Sequence, residues 1–213
     1  MNCENIKEYL GEEIGKRGNG IVYQHKKYPS RVIKVTPVTT SKNWLNKNSP
    51  NALAKEFDIA KKAGELGVSP KIYGEKILII EDPIKKTFKS YMEMDKIIGK
   101  TITTKKEVDE HLDEIMRKFD TLKQARIYRD DNKSANFMIG KLPDSKKEDV
   151  YIIDFGGAID KSPDKIKNDK HRIKMSICHK FDNHLGGSKY IKKSQRKSKR
   201  NKRKTKRKPY TLV

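Results

Sequence analysis

The apolar residues of this chain occur in short segments separated by turn and cap signals, and this arrangement limits the fold more than any other feature. Residues 10–37 contain apolar stretches on either side of turns, a pattern that predicts strands. Asn19-Gly20 is a strong tight-turn signal within them, because both residue types tolerate positive φ. The chain is therefore predicted to begin with strands that are joined by tight turns.

Residues 50–66 have helical rather than strand periodicity. Ser49 suits the N-cap of this helix, and Pro50 suits its first position, where the missing N–H of proline removes no hydrogen bond. Gly67 suits the position that follows a helix, and Pro70 comes shortly after it. Apolar residues recur at helical spacing at Leu53, Phe57, Ala60 and Ala63.

Strand patterns and helix patterns alternate further along the chain. Two apolar stretches around Pro83 predict a hairpin, and Thr104-x-x-Glu107 resembles a capping box that opens a helix over about residues 105–124. Two shorter apolar segments flank a charged loop and predict another hairpin, and residues 160–188 have a partly helical pattern. One face of the second helix carries Val108, Leu112, Ile115, Met116 and Phe119. This order of elements predicts the α+β class.

The cysteines and the apolar runs narrow the setting in which the protein works. Cys3 and Cys178 cannot form a disulfide framework, and neither lies in a CxxC or Cys/His cluster of the zinc-binding kind. The amino-terminal segment is polar and acidic, unlike a signal peptide, and no apolar run approaches the roughly 18 residues that span a bilayer. We therefore expect a soluble intracellular protein that has no membrane partner.

The positive charge is concentrated at the carboxyl end. The formal net charge is +22, and residues 189–208 contain 13 Lys and Arg with no acidic residue, which leaves +9 for the rest. This tail has no apolar periodicity and is predicted to be disordered. It suits electrostatic binding to nucleic acid or another polyanion, with a Kd of about 10⁻⁴–10⁻⁶ M near physiological salt. Lys/Arg-rich segments of this kind also suit nuclear targeting.

Five motifs contain residue types that suit phosphate chemistry, although each one alone has an ordinary structural explanation. Gly15, Gly18 and Gly20 let backbone amides approach a polyphosphate, but a plain hairpin turn has the same composition. Lys34 ends an apolar strand segment and Glu56 lies in the middle of a helix, where a charge is ordinarily solvent-facing.

The remaining two motifs contain carboxylates. Asp131 and Asn136 form a D-x-x-x-x-N sequence, and Asp154 begins D-F-G directly after an apolar segment. An aspartate at the end of a buried strand is well placed to hold Mg²⁺, because oxygen ligands suit that ion. The ordinary alternative is an aspartate in a turn.

The order of the five motifs resembles that of the protein-kinase-like superfamily over about residues 10–160. Val32-Ile33-Lys34 is similar to the V-A-I-K strand, and the D-x-x-x-x-N sequence is similar to the catalytic loop. The resemblance implies a two-lobe α+β fold with an antiparallel N-lobe sheet and a shortened helical C-lobe. The implied divisions are an extension over residues 1–9, the N-lobe over 10–94, the C-lobe over 95–188 and the tail over 189–213.

The resemblance implies ATP and Mg²⁺ as cofactors and a role for each motif residue. Lys34 would bind the α- and β-phosphates while Glu56 holds it by an ion pair. Asp131 would orient the acceptor hydroxyl and take its proton, a role worth about 10²–10⁴ in rate. Asn136 and Asp154 would coordinate Mg²⁺. The implied ATP contacts are Gly15, Gly18, Gly20, Val22, Lys34, Met92 as gatekeeper, and the backbone from Glu93 to Asp95.

Four departures from the family pattern limit what the resemblance implies. Arg17 takes the place of the second loop glycine, and Arg129 takes the place of the catalytic-loop His. There is no A-P-E motif, and about thirty residues separate Gly156 from the tail, so most of the peptide-docking region is missing. The basic tail has no counterpart in the family fold. It resembles tails on proteins of giant DNA viruses, which would place the protein in host cytoplasm or in a virion.

Two adjacent aspartates compete for the role of proton acceptor. The spacing to Asn136 assigns this role to Asp131, because the loop must present the base and a metal ligand together. Asp130 then has a structural role. We predict that Asp131→Asn abolishes phosphate transfer and that Asp130→Asn leaves it largely intact.

The resemblance implies a monomeric ATP- and Mg²⁺-dependent kinase that phosphorylates Ser and Thr hydroxyls of a protein substrate. The short segment after Gly156 leaves open a small-molecule phosphotransferase on the same fold. Arg17 and the basic tail leave open a nucleotide-binding pseudokinase that acts as a nucleic-acid-associated module.

Overall fold

The computed structural model describes residues 6–17, 20–39, 48–82 and 84–182, which fold into helices and antiparallel sheets. The strands of the largest sheet are β1 (Leu10–Arg17), β2 (Gly20–His25), β3 (Arg31–Val38), β4 (Ile72–Asp82) and β5 (Thr87–Asp95). Their order in space is β1-β2-β3-β5-β4, and each neighbouring pair is antiparallel. The α+β class, the strands in residues 10–37 and the hairpin around Pro83 are confirmed.

Helix α2 (Pro50–Glu65) follows β3, begins at the predicted residue and ends one residue before the predicted end at Leu66. The Oγ of Ser49 accepts a hydrogen bond from the N–H of Ala52 at 3.3 Å, which satisfies one of the free donors at the helix start. Gly67 has a φ of +68°, a backbone conformation that favours glycine. The buried face consists of Leu53, Glu56, Phe57, Ala60 and Ala63. Glu56 is the one charged residue among them.

Two smaller sheets and further helices complete the described chain. One sheet has the order β6-β8-β9, with β6 (Ile98–Thr101), β8 (Phe137–Lys141) and β9 (Asp149–Ile152), and the other pairs β7 (Ile127–Tyr128) with β10 (Ile159–Asp160). The other helices are α1 (Ile6–Tyr9), α3 (Lys105–Glu110), α4 (Leu112–Gln124) and α5 (Lys170–Asp182), with 3-10 helices at Ser134–Asn136 and Pro163–Lys165. The second predicted hairpin is confirmed as β8 and β9, and α5 confirms a helix within residues 160–188.

The helix predicted over residues 105–124 is interrupted, so that prediction was wrong about its continuity. His111 separates α3 from α4 because its φ of −108° and ψ of 8° depart from helical geometry. The N–H of His111 still donates to the carbonyl of Glu107, and the N–H of Ile115 donates to the carbonyl of His111. The apolar face continues across the break, so sequence periodicity does not show it.

A pair of glycines brings β6 against β8, the strand that follows Asn136. Gly99 and Gly140 are register partners in the antiparallel ladder. A Cβ on Gly99 would lie 2.1 Å from the carbonyl oxygen of Ile139, and a Cβ on Gly140 would lie 2.6 Å from that of Ile98. The absence of side chains at both positions is therefore what permits this close approach.

One hydrophobic core connects the large sheet to the elements that follow it. Its members come from α2, β5, α4, β8 and β9, and they include Phe57, Met92, Ile115, Phe137 and Ile152. Phe155, which follows Asp154, belongs to the same core. The segments that carry the predicted site residues are thus packed against one another through shared apolar side chains.

No helix within the described residues has both the length and the apolarity needed to cross a membrane.

The capping box at the start of α3 makes stability depend on pH. Lys100 and the N–H groups of Thr103 and Thr104 hydrogen-bond the carboxylate of Glu107 and lower its pKa from 4.5 to about 2. A group with a lowered pKa stabilises the fold fully above its unfolded pKa, and this contribution is lost as the pH falls toward the folded value. We expect Glu107→Gln to reduce the free energy of unfolding at pH 7 by about 1 kcal/mol, with the deficit shrinking between pH 4.5 and pH 2.

Urea denaturation of both proteins at several pH values measures this difference. Glu110→Gln is the matched control, because Glu110 lies on the same helix with an exposed side chain. A deficit for Glu107→Gln that is the same at pH 3 as at pH 7 would contradict the assignment.

Candidate active site

Four of the predicted site residues stand in one row across the large sheet. Gly15 is the register partner of Val22, Val22 of Lys34, and Lys34 of Met92. Residues directly opposite each other on adjacent strands share a face of the sheet, so the side chains of Val22, Lys34 and Met92 lie on the face covered by α2. Position 15 has no atom within 4 Å of where a Cβ would lie, so packing does not require glycine there.

Lys34 is bound between two carboxylates from distant parts of the sequence. Its Nζ lies 2.7 Å from Oε1 of Glu56 and 3.7 Å from Oδ1 of Asp154. The Glu56 side chain is 9% exposed, whereas that of Asp154 is 42% exposed. A strand, a helix and the segment after β9 therefore meet at one ammonium group, and the least exposed carboxylate holds it most closely.

The charges of this cluster shift the pKa values of its members in opposite directions. Burial alone would lower the pKa of Lys34, but the carboxylates of Glu56 and Asp154 outweigh it and raise the pKa above its ordinary value. Burial would raise the pKa of Asp154, but Lys34, the N–H of Gly156 and Arg129 together lower it. Both groups are therefore charged at neutral pH.

The backbone around Asp154 is held in an uncommon conformation. Its φ is +66°, a region that non-glycine residues seldom occupy. The N–H of Gly156 donates to Oδ1 of Asp154 at 3.3 Å, and Phe155 between them is buried in the core. A Cβ on Gly156 would lie 3.3 Å from both Oδ1 of Asp154 and Oε2 of Glu56. Glycine at 156 therefore lets the two carboxylates share this space.

The loop before β8 is organised around the carbonyl oxygen of Asp131. This oxygen accepts hydrogen bonds from Nη2 of Arg129 at 2.7 Å and from Nδ2 of Asn136 at 2.9 Å. The amide nitrogen of Asn136 is thereby engaged, so the predicted role as a metal ligand would fall to its Oδ1. The N–H of Ile153 donates to the carbonyl of Asn136 at 2.9 Å, so the loop is joined directly to the residue that precedes Asp154.

The two neighbouring aspartates have different surroundings. Oδ2 of Asp131 accepts a hydrogen bond from Nζ of Lys133 at 2.9 Å, and the Asp131 side chain is 27% exposed. Asp130 is exposed, and its carbonyl accepts from the N–H of Asn132. Asp131 is therefore the more restrained of the two carboxylates. Lys133 was missed by sequence reasoning, although its position two residues after Asp131 was a usable signal.

Arg129 has a structural role that the sequence did not reveal. Its guanidinium lies over the rings of Phe137 and Phe155, with centroid distances of 5.7 and 5.4 Å. Burial lowers its pKa to about 10, against the opposing effect of Asp154, Asp131 and Asp130, so it is charged at neutral pH. The resemblance implied only that Arg129 takes the place of the catalytic-loop His. Its burial and its contact with the Asp131 carbonyl required the structure.

The side chains of Glu93 and Asp95 point away from Lys34. Successive residues of a strand alternate between faces, and both follow Met92 at odd spacing. Nη1 of Arg31 donates to Oε1 of Glu93 at 2.8 Å, and the hydroxyl of Tyr73 donates to Oδ1 of Asp95 at 2.7 Å. These two carboxylates therefore take part in contacts on the opposite face of the sheet.

The backbone at the end of β5 is largely engaged in strand pairing. Glu93 and Met94 have register partners in both β3 and β4, and the N–H of Asp95 donates to the carbonyl of Lys71 at 3.0 Å. The resemblance implied that the backbone from Glu93 to Asp95 faces adenine. The strand extends to Asp95, because two neighbours satisfy its hydrogen bonds, and this leaves fewer backbone groups for a nucleotide base.

The glycine-rich turn is described only at its ends. Gly20 begins β2 and is buried, and Gly15 lies within β1. Gly18 lies outside the described residues, as do residues 1–5 of the predicted extension over 1–9 and the basic tail over residues 189–213.

The predicted metal ligands form a small donor set. Asp154 offers a carboxylate and Asn136 an amide oxygen, and Mg²⁺ is commonly held by one or two such protein oxygens together with substrate phosphates and water. Within the described residues no group of three or more His, Cys, Asp and Glu side chains forms a metal cluster of its own. The donor set thus fits Mg²⁺ that is bound together with a polyphosphate.

No protein-family model matches the chain, and no curated protein matches it in sequence.

The ion pair between Lys34 and Glu56 is expected to give non-additive changes in stability. Lys34→Met leaves the buried carboxylate of Glu56 without its cationic partner. Glu56→Gln leaves the ammonium of Lys34 without the closer of its two carboxylates. The double variant removes both charges. We expect a coupling energy of about 1–3 kcal/mol between the two positions, measured by urea denaturation of the four proteins.

Lys55→Met is the matched control for this cycle. Lys55 is the exposed neighbour of Glu56 in α2, so its loss should change stability by at most about 0.5 kcal/mol. Additive free energies for the Lys34 and Glu56 variants would mean that the pair does not form in solution.

Proposed function

We propose that this chain is an ATP- and Mg²⁺-dependent phosphotransferase of the protein-kinase-like superfamily that acts on Ser and Thr hydroxyls of proteins. The observation that carries the proposal is the meeting of Lys34, Glu56 and Asp154 at one point, with Nζ distances of 2.7 and 3.7 Å. These three residues are far apart in sequence, and their type and order are those of the family motifs.

The arrangement of the fold supports the proposed two-lobe architecture. A five-stranded antiparallel sheet with α2 on one face corresponds to the N-lobe. The second part has α4 packed near the β6-β8-β9 sheet, with the Asp131 loop leading into β8. The Lys34 cluster lies where these two parts meet, which is where a kinase binds its nucleotide.

Each residue of the cluster has a defined part in the proposed reaction. Lys34 binds phosphate oxygens of ATP, and Glu56 holds its ammonium in position. Asp154 and Oδ1 of Asn136 hold Mg²⁺, which when bound neutralises the negative charge of the phosphates. Because the amide of Asn136 is also bonded to the carbonyl of Asp131, the metal ligand and the proposed base are positioned by the same loop.

Asp131 is the proposed acceptor of the hydroxyl proton. Its carboxylate is restrained by Lys133 at 2.9 Å and its carbonyl by two side-chain donors, so the group is held before substrate arrives. Lys133 places a positive charge beside the reacting oxygens, where it can stabilise the negative charge that develops during transfer. Asp130 is exposed and has neither contact.

A small-molecule acceptor is the second candidate, and it is favoured by the short segment after Gly156. This segment has β10, one turn of 3-10 helix and the 13-residue α5 before the described residues end at 182. A protein substrate needs a docking surface beside the site, whereas a metabolite needs the cluster alone. A panel of basic proteins and of hydroxyl-bearing metabolites, offered as acceptors, separates the two candidates.

Phosphate transfer is expected to depend on Asp131 and Asp154. With radiolabelled ATP and Mg²⁺, the wild type should label protein acceptors, and Asp154→Ala should abolish labelling. Asp131→Asn should reduce the rate by about 10²–10⁴, because the proton acceptor is lost. Removal of Mg²⁺ by a chelator should abolish labelling by the wild type.

Asp130→Asn is the matched control for this assay, since it makes the same chemical change at the adjacent residue. It should retain most of the wild-type rate. Equal labelling by the wild type and the three variants would exclude the proposed reaction. If Asp130→Asn lost activity and Asp131→Asn retained it, the proton acceptor would be Asp130 instead of Asp131.

We also propose that the basic tail binds nucleic acid or another polyanion. This part rests on the 13 Lys and Arg within residues 189–208. Binding to DNA or RNA should weaken steeply as salt rises and should not depend on sequence, because released counterions drive it. Deletion of residues 189–213 should remove most of this binding in a filter or fluorescence assay, and undiminished binding would place the interface elsewhere. A chain that binds nucleic acid but shows no transfer would match the pseudokinase alternative.

A further inference from the structure

A cavity of about 280 Å³ lies next to the Asp131 loop, with Arg129, Asp130 and Asn132 in its lining. Its walls come from α4, from the start of the loop, and from the segment that leads into α5. None of Lys34, Glu56 and Asp154 lines it. The cavity is therefore separate from the site described above.

The cavity walls are strongly basic. Four cationic side chains line it besides Arg129, and they are Lys161, Lys165, Lys167 and Arg172. Asp130 is the one acidic residue in its lining. Among the described residues, none of these four cations forms a salt bridge, although Nζ of Lys161 lies 4.2 Å from the ring centroid of Tyr128. The cavity thus has a surplus of positive charge that its own walls do not neutralise.

Within the described residues, two buried side chains that line this cavity have polar atoms without a hydrogen-bond partner. Arg129 is 5% exposed, and its Nη2 donates to the carbonyl of Asp131, but Nε and Nη1 have no acceptor. Asn132 is likewise buried, and its Oδ1 has no donor. A buried guanidinium whose N–H groups lack acceptors is costly, because those groups have lost their water and Asp154, Asp131 and Asp130 act on them only through space. An anion in the cavity would remove this cost.

We propose that this cavity binds the phosphate group of a small molecule, either inorganic phosphate or a phosphomonoester. A guanidinium presents its N–H groups in a planar fork that matches two oxygens of a phosphate. Lysine side chains around the rim add mobile donors for the remaining oxygens. Oδ1 of Asn132 accepts a hydrogen bond from the hydroxyl of a singly protonated phosphate, which sulfate at neutral pH does not offer. The chemistry of the walls thus favours phosphate over sulfate.

A bound phosphate would act on the neighbouring loop through Arg129. The same guanidinium that faces the cavity donates to the carbonyl of Asp131. An anion that fixes the guanidinium would therefore also fix the backbone of Asp131. This effect depends only on the contacts of Arg129 with the cavity and with the Asp131 carbonyl, and it does not require that the loop catalyses phosphate transfer.

Thermal unfolding of the full chain in inorganic phosphate tests the proposal without any nucleotide. Phosphate should raise the Tm in a saturable manner, and sodium chloride and sulfate at equal ionic strength should raise it less. Glycerol phosphate in place of inorganic phosphate distinguishes a site for monoesters from a site for the free ion. The double variant Lys165→Gln/Lys167→Gln should weaken phosphate binding by about tenfold, because two charge-assisted contacts are lost.

Two controls make the result specific to the cavity. Lys105→Gln/Lys106→Gln removes the same charge from exposed positions on α3 and should keep the wild-type response. Lys34→Ala should also keep it, because Lys34 does not line the cavity. A response that is equal in phosphate and sulfate, equal in the two lysine double variants, or lost in Lys34→Ala would overturn the proposal. Because no ATP is present, none of these outcomes depends on the proposed transfer reaction.

Discussion

The ion pair between Lys34 and Glu56 is the contact on which the candidate site depends. Two charges are removed from most of the surrounding water at the junction of β3 and α2, and their attraction at 2.7 Å must compensate for that desolvation. The pair forms because α2 is fixed against the sheet by an apolar face that includes Phe57 and Ala60. Asp154 approaches the same ammonium because Phe155, its neighbour, is anchored in the same core. Apolar packing thus determines where the charges meet.

The second organising feature is a backbone group, the carbonyl of Asp131. It joins Arg129 and Asn136, and Asn136 is joined in turn to the strand that leads to Asp154. The proposed base and both proposed metal ligands are therefore positioned by one continuous hydrogen-bond network. Arg129 also faces the basic cavity, so the network extends from the Lys34 cluster to a place where a second anion could bind. The Arg129 guanidinium therefore contacts the Asp131 loop and also lines the cavity.

Local sequence signals were sufficient for the secondary structure but not for its details. Ser49, Pro50 and Gly67 predicted the ends of α2 correctly, because capping depends on the residues at the helix ends themselves. The break at His111 could not be predicted, since the apolar periodicity continues across it. The pairing of Glu93 with both β3 and β4 could not be predicted either, because the partners of a strand are decided by the tertiary structure.

The sequence by itself determined which residue types are present and in what order. The α+β pattern and the spacing between Asp131 and Asn136 both follow from it. The tertiary structure decided which groups meet. The 2.7 Å contact with Glu56, the burial of Arg129 over two aromatic rings, and the basic cavity behind the loop each join residues that are distant in sequence. Burial and Coulomb energy depend on distance in space, and a linear sequence contains no distances until the core has packed.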